Sequence, residues 1–121
     1  MDIVERIRQD IPLGVVIPKP EAKSDFKVKA WGKRRGEKAL VYWIPNHKNP
    51  GQPYAKGVTE SEFRQAFAEL SGSGVLTREW VNEHLPACAK EGGCNFTTIG
   101  GVFVLLGLAK YAKKATYHYT P

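Results

Sequence analysis

The chain has 121 residues, 42% of them hydrophobic and 25% charged, with a formal net charge of +6 at neutral pH. These values suit a globular protein with a single core and exclude disorder of the whole chain, and two cysteines, Cys88 and Cys94, are too few for a disulfide framework. The longest apolar run, Val102 to Leu106, is far below the roughly 20 residues of a membrane span, and Met1 to Glu5 lacks a signal peptide's basic flank. A soluble, cytoplasmic protein with reduced thiols and no membrane contact is expected.

The charge is unevenly divided. Residues 1 to 57 hold twelve Lys/Arg against six Asp/Glu, whereas residues 58 to 121 hold six against six. Within the first part, Lys27, Lys29, Lys33, Arg34, Arg35 and Lys38 face Glu37 alone between residues 26 and 38. A positive field that local calls for an anionic partner or for a structural explanation.

In chain order, Ile3, Val4, Ile7 and Ile11 share one helical face behind an Asp2 N-cap, and Pro12 with Gly14 ends the segment. Val15 to Ile17 predicts a brief edge strand, followed by an extended connection through Pro18 and Pro20 to Asp25. From Phe26 the period is two: Phe26, Val28 and Ala30 point one way, Lys27, Lys29 and Trp31 the other. The β-prone run Ala39 to Ile44 completes a hairpin with a basic tip, which reads either as an edge guarded by lysines or as a ribbon presenting Lys27, Lys29, Lys33, Arg34 and Arg35 to phosphates, with Trp31 or Trp43 as a stacking face. Residues 46 to 57 read as a loop and internal boundary, separating a 1–57 extension from a 58–121 region within one compact domain. His47 reads as a solvated loop residue.

Thr59-Glu60-Ser61-Glu62 is a capping box, with Val58 and Phe63 as its hydrophobic staple. The helix it opens runs to about Leu70, burying Phe63, Ala66, Phe67 and Leu70, and stops at Ser71 to Gly74. Val75 and Leu76 predict a short strand, and Thr77 caps a helix from Arg78 to about Leu85, where Pro86 disturbs it. Ile99, Val102, Phe103 and Leu106 then mark one face of a longer helix, Gly107 stops it, and Leu108 to Tyr111 and Thr116 to Tyr119 form a hairpin.

Helix, strand, helix, helix and hairpin over about residues 58 to 119 resemble a winged helix-turn-helix domain. The expected fold is therefore α+β, a winged-helix-like C-terminal half with an N-terminal helix and basic β-hairpin packed against it. The resemblance implies DNA or RNA as partner, with Thr97 and Thr98 on the main helix and Lys110, Lys113 and Lys114 on the wing as contacts. The helix lacks Lys and Arg, and Gly100-Gly101 in its interior points to close packing of another element against it. Apolar Val104 and Leu105 offer an alternative, a protein-interaction or homodimer surface. His84, Cys88 and Cys94 carry ligand-type side chains, but H-x3-C-x5-C is not an established zinc spacing, and a Cys94 nucleophile would need a base. No catalytic group, cofactor or metal is expected. The sequence reading is a non-catalytic nucleic-acid-binding protein dominated by phosphate contacts.

Overall fold

In the computed structural model of the protein, residues 2–22 and 24–121 are described. The readings that fall on Met1 and on Lys23, in the 18–25 connection, lie outside them. The fold is α+β, with five helices and two antiparallel sheets among the described residues. No helix among them is long and apolar enough to cross a membrane.

The first helix, α1 (Ile3–Asp10), begins at a full capping box: the Val4 N–H donates to the Asp2 carboxylate and the Asp2 N–H to Glu5. It buries Ile3, Val4 and Ile7, the face marked by their spacing. Three further strands join β1 (Val16–Ile17) in the first sheet: β2 (Phe26–Arg34), β3 (Glu37–Ile44) and β4 (Tyr54–Thr59), in the order β1-β2-β3-β4. The hairpin turn is tighter than the sequence suggests, because Arg35 (φ 52°) and Gly36 (φ 78°) alone connect β2 to β3. Two left-handed residues are the requirement of a type I′ turn, whose twist matches that of the strands.

Two sequence expectations are corrected in this sheet. Lys29 sits in a β-bulge between Val28 and Ala30, so the alternation reverses there. Val28 pairs with Tyr42 and Trp31 with Leu40, placing Val28 and Trp31 on the same face, while Ala30 joins Val41 on the other. The expected loop of residues 46 to 57 is also shorter, since Tyr54–Thr59 pairs along β3 and leads without a break into α2 (Glu60–Ser73). The boundary expected near residue 57 thus falls inside a continuous strand.

Thr59 and Glu62 cap α2 reciprocally, as their spacing predicts, and the helix continues past Leu70 to an αL cap at Gly74. Next come β5 (Val75–Thr77) and α3 (Arg78–His84). Pro86 does not simply disturb α3; it opens a separate helix, α4 (Pro86–Glu91), because a proline is suited to the first helical position, where no N–H partner is needed. The long helix is α5 (Asn95–Leu105), and Gly107 (φ 75°) follows it in the left-handed conformation that the Leu106-Gly107 step anticipates. β6 (Ala109–Lys113) and β7 (Thr116–Tyr119) form the final hairpin, with β5 added to give the order β5-β7-β6.

One core joins the two sheets and the helices. Its centre is aromatic, with Phe103 meeting Phe63 at 6.2 Å and Phe67 at 5.6 Å edge to face, and Phe67 meeting Tyr119 at 6.0 Å. α5 runs through this core, and every residue from Asn95 to Phe103 is buried. The close packing of another element that Gly100-Gly101 implies is present, with Tyr117 against Gly100 and Ile17 and Pro18 against Gly101. A helix apolar on all sides is stable only when surrounded.

Candidate nucleic-acid interface

All six arginines enter ion pairs with acids of this chain: Arg6 with Asp10, Arg8 with Glu60, Arg34 with Glu91, Arg35 with Glu62 and Glu91, Arg64 with Asp2, and Arg78 with Glu21. Planar guanidinium groups suit such forked contacts better than ammonium groups do. The excess positive charge is consequently left on lysines. Among the described residues, Lys27, Lys29, Lys33, Lys38, Lys110, Lys113 and Lys114 make no ion pair.

Arg34 and Arg35 are therefore not a free basic tip. Arg35 donates to Glu62 at 2.6 and 2.9 Å, to the Gly57 carbonyl at 3.0 Å and to Glu91. Arg34 lies 3.5 Å from the Glu91 carboxylate. Burial works against the Arg35 charge, but Glu62 and then Glu91 outweigh it and hold the guanidinium protonated well above its ordinary range. Burial likewise penalises the Glu62 carboxylate, while Arg35 and the Thr59 N–H hold its carboxyl below the ordinary range. Turn and α2 are thus stapled by charge-assisted hydrogen bonds.

Thr97 and Thr98 are also not at the surface. Both are buried at the start of α5, facing a residue the sequence reading passed over. The Lys19 ammonium donates to the Cys94 carbonyl (2.7 Å), Thr97 Oγ1 (2.9 Å) and Thr98 Oγ1 (2.5 Å), and lies over the rings of Phe26 (4.4 Å) and Tyr42 (5.3 Å). Its three donors are all used. Only its place between Pro18 and Pro20, which hold the segment extended, signals a fixed position in sequence. Beside it, the Tyr42 hydroxyl donates to Asn95 Oδ1 at 2.6 Å and lies 3.2 Å from the Cys94 sulfur, and Asn95 Nδ2 donates to the Cys88 carbonyl at 2.8 Å. The segment Ile17 to Lys19 and the first sheet therefore shield the helix that a winged-helix comparison would direct at bases.

Desolvation lowers the Lys19 pKa to about 7. An unfolded lysine near 10.5 binds its proton more tightly, so from pH 7 to about 9, above which ionisation of the unfolded Cys88 thiol works the other way, this lysine makes stability rise with pH. Thermal unfolding across that window should show an upward slope, on the order of a few kcal/mol in total. Lys19→Met should remove most of it, and an unchanged slope in that variant would refute the assignment.

The free lysines divide between three places. Lys27 is exposed on β2 directly across from Trp43 on β3, and the Lys29 ammonium lies 4.9 Å from the Trp43 ring centroid. Trp43 itself is 36% exposed, and with Lys27, Asp25, Pro45 and Pro53 it borders a depression of about 410 Å3. Each ring has a cation over one face, Lys29 over Trp43 and, more closely at 3.7 Å, the Arg8 guanidinium over Trp31. Lys33 and Lys38 oppose one another next to the turn, on the other face of the ribbon. Two like charges in direct register cost stability, and neither has an acid in ion-pair reach among the described residues. Lys110, Lys113 and Lys114 lie on or beside β6, the edge of the second sheet.

The remaining candidate residues do not converge. His84 stacks on Trp80 at 4.9 Å, Cys88 is buried with its thiol pushed up by burial and the neighbouring Glu62 charge, and Cys94 is half-buried against Tyr42. No group of three or more His, Cys, Asp or Glu able to hold a metal ion occurs among the described residues. Leu105 is exposed, whereas Val104 is half-buried and borders a cleft. No family model matches this chain, and no curated protein or solved structure matches it.

Proposed function

We propose that this protein is a non-catalytic nucleic-acid-binding protein whose contact surface is the end of the first sheet around Trp43, Lys27 and Lys29. The supporting observation is Trp43, a partly exposed aromatic ring on a strand surface flanked by the unpaired ammonium groups of Lys27 and Lys29. A flat ring next to two cations is suited to a splayed base with its neighbouring phosphates, which favours single-stranded DNA or RNA over a duplex. Lys33 and Lys38, held in costly register, and the β6 edge lysines extend the positive field beyond this patch.

Residues 58–119 are read as winged-helix-like. The order β5-β7-β6 behind α2, α3 and α5 supports that comparison, while α4 is an addition to it. Because Thr97 and Thr98 are buried, recognition in this reading uses no base contacts from α5 and depends on counterion release at lysines. A cytoplasmic setting fits the two free thiols.

Fluorescence anisotropy with labelled oligothymidylate, oligouridylate and duplex DNA tests the reading. Binding should appear at low salt, single strands should exceed the duplex, and Trp43→Ala should weaken it by about 1–3 kcal/mol. Replacing Lys27 and Lys29 with Gln should flatten the salt slope by about 1.4, two single-strand phosphate contacts' worth. Absence of binding at low salt would overturn the proposal.

A further inference from the structure

The depression beside Trp43 is assembled by the register of three strands. Lys27, Trp43 and Ala55 face one another across β2, β3 and β4. Two residues further toward the strand ends, the same antiparallel registers align Asp25, Pro45 and Pro53, and side chains two apart share a sheet face. These three border the depression of about 410 Å3 together with Lys27 and Trp43. Pro45 follows β3 and Pro53 precedes β4, so the outer row presents two apolar rings and a single carboxylate. Ala55 puts no more than a methyl group beside the indole.

That carboxylate is out of keeping with its surroundings. The arginines of the chain take up Asp2, Asp10, Glu21, Glu60, Glu62 and Glu91. Asp25 is exposed and makes no ion pair among the described residues, although Lys27 stands two positions away on the same face. An acid next to a cationic aromatic patch weakens the attraction for phosphate, so phosphate contact alone does not account for it. A ligand that brings N–H donors along with its phosphates does.

On the nucleic-acid reading above, on which this inference rests, we propose that the base stacked on Trp43 is guanine and that Asp25 selects it by accepting hydrogen bonds from its pairing edge. An ionised carboxylate accepts and never donates. Guanine sets two donors side by side on that edge, N1–H and the 2-amino group, which match the two carboxylate oxygens as a fork. Adenine and cytosine set an amino group beside a bare ring nitrogen, and thymine and uracil set one N–H between two carbonyl oxygens. In each of those bases a lone pair faces the carboxylate and repels it. Lys27 and Lys29 keep the flanking phosphates, so stacking and charge give affinity while Asp25 gives the choice of base.

Fluorescence anisotropy at low salt tests this with labelled thymine oligonucleotides that carry one central guanine, hypoxanthine, adenine or cytosine, or none. The guanine strand should bind at least about fivefold more tightly than the all-thymine strand. Hypoxanthine keeps N1–H and lacks the 2-amino group, so its strand should fall between those two. Asp25→Asn offers one donor beside one acceptor; it should lose the guanine preference and turn toward adenine or cytosine. The same variant should bind the all-thymine strand more tightly, because a negative charge near the phosphates is gone, and this gain shows that the surface is still folded. Equal affinity for all the strands, a hypoxanthine strand as tight as the guanine one, or a guanine preference that survives in Asp25→Asn would each overturn this inference and leave the nucleic-acid reading standing. Binding of none of the strands would overturn both.

Discussion

Gly101→Ala is expected to lower the unfolding free energy by about 3 kcal/mol, although the same substitution in an open helix interior raises it by up to about 1 kcal/mol. A Cβ at Gly101 would stand 2.6 Å from the Pro18 carbonyl oxygen and 2.6 Å from Ile17 Cγ2. The oxygen belongs to backbone and cannot rotate away. Retreat of the segment would also withdraw Lys19 from its three oxygens at the start of α5 and pull on the Ile17 to Phe26 pairing. Gly100→Ala should be comparably damaging, because its methyl would sit 2.6 Å from Tyr117 Cδ2 and nearer still to Cε2 and Cζ, in a ring held by Phe96 and Tyr111. Gly72, near the end of α2, has nothing within 4 Å of the added carbon, so Gly72→Ala should stabilise by about 0.5–1 kcal/mol. Urea unfolding of the three variants makes the comparison, with melting temperatures falling on the order of 10 °C for the first two. If Gly101→Ala is as stable as Gly72→Ala, the proposed packing of residues 17 and 18 on α5 is wrong.

The local chemistry of the chain was readable wherever it is decided by neighbours in sequence. The caps at Asp2 and Thr59, the helix through Val102 and Phe103, its glycine stop and the two hairpins all follow from spacing and side-chain type. The pairing of residues 100 and 101 also implied something pressed against them, and Tyr117, Ile17 and Pro18 fill that role. What could not be read depends on partners far along the chain. Arg35 meets Glu62 and Glu91, 27 and 56 positions away, and Glu62 had a sufficient local explanation as a cap. A charge count over 26–38 therefore overstated the field available to a partner. The Lys29 bulge escaped for a different reason: alternation by itself does not reveal an inserted residue, and the sign of every later position changes with it. Thr97 and Thr98 were placed outward by analogy with winged helices, and here the chain's own extended segment occupies that side.

Arg35→Met should cost about 3 kcal/mol of stability while leaving the salt dependence of the proposed nucleic-acid binding unchanged, the reverse of what a free basic tip would give. The guanidinium is mostly shielded and its partner Glu62 is only 7% exposed, so removing the cation leaves a carboxylate with little water and the Thr59 N–H as its remaining donor. Glu91 loses the same cation and keeps Arg34 and the Gly57 N–H. The pH dependence separates this cause from simple loss of packing. In the parent, the Glu62 carboxyl titrates below its unfolded value of about 4.5, so its contribution is complete above that pH and is lost as pH falls through the folded pKa. In the variant, burial without Arg35 raises the folded pKa instead, so protonation relieves the penalty as the medium becomes acidic. The deficit between the two proteins should thus be largest at neutral pH and shrink toward pH 4. Glu62→Gln placed in the Arg35→Met background, which keeps an acceptor for Thr59 and removes the stranded charge, should restore at least half of the loss. A deficit that is constant with pH, or a salt slope that falls by about one unit on losing Arg35, would return the arginine to the role of an exposed phosphate contact.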